Sequence, residues 1–343
     1  MAVKLRANAR DLCNTFEMPP TVTKSKLTAL ELVYPPISNQ EAVWLQRDPE
    51  VEAELRASDF YMIAGRQEVK FGEIIANEET HLVTFTVSQG DSIIDHVQIQ
   101  PNELPAFREK NTESYWMEAG PKMVRFWDGP IGDSSSNVLD WFTTEKLLWE
   151  RSRGKPGITG LDKFRELTTY DLLYVGIAKK GDSFDRLFAK GHKARTDILA
   201  NEQQRFPGAR VTDEIYLFLY HIDPLVIRTF DFDHEFTDED LSGEIDRKPI
   251  VVDAEKAFVS LLKPDYNVVR FNNYPRSEDG LYDSGYARYV YAIAENIEFN
   301  TAHGRFRGGW DVHKQFVSNE ADAIFIEGDT VKLLISGVDF PTD

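Results

Sequence analysis

Apolar and polar residues alternate with a period of two in several short stretches of the first hundred positions. Thr84-Phe85-Thr86-Val87 and Asp95-His96-Val97-Gln98-Ile99 are examples. This period predicts strands that bury one face. Gln89-Gly90-Asp91 supplies a turn between two such runs. Strands are predicted over 59–64, 68–75, 81–87 and 92–99, preceded by a strand from Lys26 to Tyr34 that Pro35-Pro36 stops. The charged stretch Asn39 to Ser58 reads as a surface helix, and residues 1–24, which lack periodicity, as an arm.

The pattern changes after Pro130. Ser134-Ser135-Ser136-Asn137 is able to cap a helix running through Trp141 to Trp149, and Arg153-Gly154-Lys155-Pro156-Gly157 reads as an exposed loop. Helices over about 161–169, 184–201 and 254–263 then alternate with strands over 171–178 and 214–222. From Asn272 the chain is turn-rich again, with strands predicted at Arg288–Ile293 and Ala323–Ile335. The expected division is a mostly β module over 1–130, an α/β core over 131–270 and a β-rich module over 271–343.

Composition narrows the functional classes. The 343 residues carry a net charge of −18, which argues against a broad electropositive coat. A local basic groove remains compatible with that total, because the stretch from Tyr170 to Arg210 has a local excess of three positive charges. The single cysteine, Cys13, excludes an intrachain disulfide and a cysteine-based structural zinc site. No apolar run approaches the ~18 residues of a membrane span, and the N-terminus has no apolar signal region, so a cytoplasmic protein is expected.

The chemistry concentrates in one segment. Tyr174-Val175-Gly176 ends a predicted strand, placing an aromatic hydroxyl beside a glycine suited to close approach. Arg186 and His192 follow on the next predicted helix. Glu255 lies on a later one, and Pro264-Asp265-Tyr266-Asn267 ends it, with Asp253 as the expected N-cap. This ordered series resembles the GIY-YIG nuclease superfamily over about 165–270. The resemblance implies an α+β fold with a core of a small antiparallel sheet and flanking helices, the β modules lying N- and C-terminal to it. It also implies a metal-dependent endonuclease acting on DNA, in a role such as defence or restriction.

Each matched residue has an implied role. Glu255 would bind Mg²⁺ or Mn²⁺, Arg186 would clamp a phosphate, Tyr174 and His192 would orient or deprotonate water, and Asn267 would complete the set. Lys179, Lys180, Lys190, Lys193 and Arg195 would contact the phosphate backbone. A protein partner could dock on the β modules, and no membrane role is expected. The family's first tyrosine signature is absent about ten residues upstream of Tyr174, where Lys163-Phe164-Arg165-Glu166 stands. Either the first strand then comes from further upstream, with Lys122 to Phe126 as candidate, or the motif has decayed, with Tyr170 able to supply the missing hydroxyl. The six-residue spacing of Arg186 and His192 would set them about 120° apart on an unbroken helix. A catalytically degenerate nuclease scaffold with a binding or regulatory role is the alternative reading.

Two other segments have simpler readings. The acidic run 231–246 lacks the spacing of a calcium loop and reads as a solvated loop. His303-Gly304-Arg305-Phe306-Arg307 combines arginine with an aromatic, as a strand-gripping surface or a glycine turn would.

Overall fold

The computed structural model describes residues 22–342, apart from 91, 113, 179–181, 190, 232–233, 235–236 and 239–244. Most of the predicted arm, with Cys13, lies outside the described residues; its last residues open the first strand, Val22–Leu32.

The small antiparallel sheet with flanking helices is overturned. The protein is mostly β, with 38% strand against 23% helix, and its centre is a large curled mixed sheet. Nine strands follow one path: Gly304–Arg307, Glu298–Thr301, Thr169–Ile177, Phe60–Gly65, Ile215–Phe230, Val22–Leu32, Tyr286–Ile293, Ala323–Glu327 and Thr330–Leu334. The short strand Ile37–Ser38 pairs with the start of Ile215–Phe230. Two pairings are parallel, Val22–Leu32 with Tyr286–Ile293 and Thr169–Ile177 with Glu298–Thr301. The sheet thus takes strands from each of the segments 1–130, 131–270 and 271–343. The two strands predicted at 171–178 and 214–222 both belong to it, but Phe60–Gly65 lies between them and pairs antiparallel with each.

Between Phe60–Gly65 and Thr169–Ile177 the chain makes a long excursion, residues 66–168. It builds a four-stranded sheet from Val69–Ala76, Val83–Gln89, Ser92–Ile99 and Ile158–Gly160, and a three-stranded one from Trp116–Ala119, Met123–Trp127 and Val138–Thr143. Val69, Phe85, Val97, Phe107, Phe126 and Phe142 close a core of their own there. A buried ion pair within the excursion, Arg66 to Glu145 at 2.5 Å, lies against the large sheet, where Arg66 also donates to the Tyr216 hydroxyl at 3.4 Å.

The helices differ from their predicted extents for local reasons. Asn39 to Ser58 splits into Ala42–Leu45 and Pro49–Arg56, because Pro49 starts a new helix behind the Asp48 cap, which accepts from the Glu50 amide. The helix predicted through Trp141 begins only at Thr144, because Val138–Thr143 pairs as a strand and the Thr143 hydroxyl caps Thr144–Ser152. The helix predicted at 254–263 starts seven residues earlier, as Arg247–Leu262, capped by Asp246 rather than Asp253. Asp253 is instead buried within it, accepting from the hydroxyls of Tyr274 and Tyr291 at 2.8 Å each and from the Leu281 amide at 2.9 Å. Lys263 adopts a left-handed conformation and Pro264 follows, which stops the helix as expected. No helix among the described residues is long and apolar enough to cross a membrane.

Candidate active site

The site forms where the two antiparallel strands Phe60–Gly65 and Thr169–Ile177 meet the helix Arg247–Leu262. In the register of these strands Gly176 faces Tyr61. A slip in the pairing between Leu172 and Tyr174 makes Leu173 an extra residue. Such a bulge reverses which face the following side chains take. Tyr170 and Leu172, before it, pack into the large core with Phe218 and Phe299, whereas Leu173 and Tyr174, at and after it, join the opposite face with Tyr61 and Ile63. Tyr170 therefore does not supply the second hydroxyl; it is buried beneath the Arg66 guanidinium, 4.5 Å from its ring centre. The strand Met123–Trp127, the other candidate, belongs to the separate three-stranded sheet.

Tyr61 stands in that place. Its ring stacks on Tyr174 at 6.1 Å between centroids and 23° between planes. Sequence reading missed it because the two strands are neighbours in space but are separated by the whole excursion 66–168. Its one local signal is the continuous apolar run Phe60-Tyr61-Met62-Ile63-Ala64, which marks a strand buried on both faces.

Arg186 and His192 converge on the Tyr61 oxygen. The helix predicted over 184–201 is broken: Asp185–Ala189 forms a π turn, and Lys193–Asn201 is a separate helix with His192 as its N-cap. The break removes the spacing conflict of an unbroken helix. Arg186 Nε donates to Tyr61 Oη at 2.8 Å, and His192 Nε2 lies 2.8 Å from the same oxygen. The Arg195 backbone amide donates to His192 Nδ1 at 2.9 Å, so Nδ1 is an acceptor. A neutral imidazole then carries its proton on Nε2 and donates it to Tyr61. Burial, with Arg186 and Arg195 nearby, lowers the His192 pKa to about 4 and keeps the ring neutral. Tyr61 Oη thus accepts two hydrogen bonds and retains its own proton for a third partner. Burial and Tyr174 hold its pKa well above the ordinary phenol value, against the pull of Arg186. Burial opposes the Arg186 charge, but the hydroxyls of Tyr61 and Tyr174 more than offset this and raise its pKa.

Beside them lies a cavity of about 840 Å³, lined by Tyr174, Arg186, His192, Lys193, Glu255, Asn267 and the loop after it; Tyr61 is enclosed behind this lining. The five residues singled out from sequence are therefore brought to one place. Their parts differ. Glu255, in the third turn of Arg247–Leu262, presents a half-buried side chain to the cavity. Asn267 uses its amide on the backbone: Oδ1 accepts from Val175 N at 2.9 Å, and Nδ2 donates to Val175 O at 2.8 Å. It is a positioning residue, locking the end of the helix to the Tyr174 strand. Of the phosphate-contact candidates, Lys193 is exposed at the cavity wall. Arg195 turns inward, donating to Asn39 Oδ1 at 2.6 Å and Leu187 O at 2.7 Å, so it braces the helix break. Lys179, Lys180 and Lys190 lie outside the described residues.

Among the described residues no group of three or more His, Cys, Asp or Glu side chains is arranged to hold a metal ion. A single carboxylate is still a sufficient protein ligand for Mg²⁺, which keeps most of its coordinated waters, and the cavity has room for them. Gly304–Arg307 pairs with Glu298–Thr301 at the edge of the large sheet, and Phe306 is buried there rather than presented for stacking. No protein-family model matches the chain, and no curated protein or solved structure proved similar to it.

Proposed function

We propose that this cavity is the active site of a metal-dependent nuclease of the GIY-YIG kind, cutting phosphodiester bonds in DNA in the cytoplasm. The observation that carries the reading is the hydrogen-bonded set Tyr61–Arg186–His192, with Tyr174 stacked on it and Glu255 across the same cavity. Tyr61 and Tyr174, on adjacent antiparallel strands with a glycine facing the first, supply the tyrosine pair that the resemblance requires. The separation of about ten residues is here replaced by the excursion 66–168.

The chemistry follows from the donors. Tyr61 is held protonated and fully enclosed, so it fixes Arg186 and His192 in place, and the Tyr174 hydroxyl on the cavity wall is the group to orient a water beside a phosphate. Arg186 binds Tyr61 through Nε, which leaves its terminal nitrogens to meet charge growing on the phosphate oxygens. His192 holds the Tyr61 oxygen in place. Glu255 would hold a Mg²⁺ or Mn²⁺ ion, whose part is to polarise the phosphate and offset its charge.

The test is plasmid nicking by the purified full chain with Mg²⁺ or Mn²⁺. Wild type should nick, and Glu255→Gln should abolish nicking while keeping the thermal unfolding midpoint. Arg186→Ala should lower the rate by at least ~10²-fold. Metal-dependent nicking that survives both substitutions would remove the cavity from consideration. DNA binding without nicking by wild type would favour the degenerate scaffold instead.

A further inference from the structure

The loop that closes the cavity carries two valines where folding gives no reason for them. Val268 is 95% exposed and Val269 61% exposed, although both line the cavity, with Phe271 beside them. Isolated exposed apolar residues are ordinary, but a contiguous pair lining a cavity together with Arg186, Lys193 and Glu255 is a different arrangement. The loop is also firmly held at its base. Asn267 is clamped to Val175 by both ends of its amide, and the Tyr266 amide donates to Leu173 O at 3.1 Å. The Tyr266 hydroxyl donates to Glu202 at 2.8 Å, and Arg270 donates to the carbonyls of Pro264 and Asp265. Six side-chain and backbone bonds thus hold two β-branched residues in water.

We propose that Val268 and Val269 form an apolar platform for the base and sugar of the nucleotide next to the phosphate held in the cavity. Charge points to this occupant. Arg186 and Lys193 in the same lining suit a phosphate, and a nucleotide seated there extends its sugar and the flat face of its base from that charged end. A stiff β-branched pair loses little side-chain freedom when a flat ring covers it. The platform makes no hydrogen bond to a base edge, so it recognises a nucleotide with an accessible face and not a sequence. This rests on the nuclease reading above only for the identity of the bound polymer, and it does not require cleavage.

The experiment uses the full chain without metal, so that binding is measured without cutting. The probe is a single-stranded oligonucleotide carrying 2-aminopurine at a central position, flanked in some versions by an abasic site. Wild type should change the 2-aminopurine fluorescence, and it should bind the version with consecutive abasic sites about tenfold more weakly. Val268→Ser with Val269→Ser should lose about tenfold in affinity, lose the fluorescence change and become indifferent to abasic sites. Val268→Leu with Val269→Leu should retain all three properties, which separates apolar contact from a misfolded loop. Equal binding and equal fluorescence by wild type and the serine variant would overturn the platform. So would an absence of oligonucleotide binding by wild type. Plasmid nicking decides the nuclease reading separately: a protein that nicks but ignores these valines loses only the platform, and one that binds through them without nicking loses only the enzyme.

Discussion

Gly176 faces Tyr61 across two antiparallel strands, and a Cβ at Gly176 would lie 2.7 Å from the Tyr61 hydroxyl and 2.6 Å from the Tyr174 ring. The glycine is what lets the two tyrosines stack. Both contacts are with packed aromatic side chains, so relief requires moving one ring. Gly176→Ala should therefore cost about 1–3 kcal/mol of stability, as overpacking does. It should also separate the rings and weaken the Arg186 and His192 bonds to Tyr61. Urea unfolding gives the first quantity and plasmid nicking the second. A variant with wild-type stability and rate would show that the tyrosine stack has slack that the geometry does not indicate.

Tyr61→Phe removes one oxygen and leaves two donors without their acceptor. An unsatisfied buried donor costs about 1–3 kcal/mol, so the variant should be destabilised despite its more apolar side chain. Nicking should fall by up to about 10²-fold, the scale of losing one aligned transition-state donor, because Arg186 loses the oxygen that holds it in place. Tyr174→Phe, with no backbone or histidine bond depending on its hydroxyl, should be milder in stability. Chemical unfolding of the two variants side by side measures the difference; equal stability losses would contradict it.

The neutral His192 makes a prediction with a definite sign. Its folded pKa, about 4, lies below the ordinary histidine value of about 6.5. Between these values the unfolded chain binds the proton and the folded chain does not. Stability must therefore fall as pH drops from about 6.5 to about 4, and level off above that window. His192→Gln should flatten this part of the profile. Unfolding free energies from pH 4 to 8 check it. A nitrogen NMR measurement should find the His192 proton on Nε2 at pH 6. Titration of the ring near 6.5 would contradict the hydrogen-bond assignment.

Arg66 and Glu145 test the buried charge pair inside the excursion 66–168, where it packs against the sheet. Both are buried, and the Arg66 guanidinium also donates to the Leu167 carbonyl while Thr144 Oγ1 donates to the other Glu145 oxygen at 2.7 Å. Removing one partner leaves an uncompensated buried charge, which costs about 3–5 kcal/mol. Glu145→Ala should show that loss, and the double variant Arg66→Met with Glu145→Leu should recover much of it. Thermal unfolding of the single and double variants compares them; additive losses would mean that the two charges do not act as a pair.

Many elements were legible from local pattern alone. Period-two alternation located the strands at 83–89 and 92–99, and the Pro264 stop located the end of the last long helix. The residues Tyr174, Arg186, Glu255 and Asn267 were found because they lie in one stretch in a recognisable order. Such features depend on neighbours a few positions apart, which a linear reading contains. The helix starts were less legible. Thr143 and Asp246 act as caps, but several Ser, Asp and Asn residues upstream were equally able to, and strand pairing at Val138–Thr143 decided the first case.

What required the tertiary structure was everything set by distant pairing. The sheet interleaves strands from both ends of the chain, and no local pattern encodes which strand lies beside which. Tyr61 reaches Tyr174 only because antiparallel register places Phe60–Gly65 against Thr169–Ile177 across a separately folded excursion. The bulge at Leu173 chose Tyr174 over Tyr170, since one extra residue reverses the faces of a strand. The interruption between the π turn Asp185–Ala189 and the helix Lys193–Asn201 brought Arg186 and His192 to one oxygen, where an unbroken helix would have parted them. Sequence by itself determined which candidate side chains stand in one ordered stretch. Backbone pairing and its irregularities decided which of them meet, because hydrogen-bond register, and not residue type, sets the direction of each side chain.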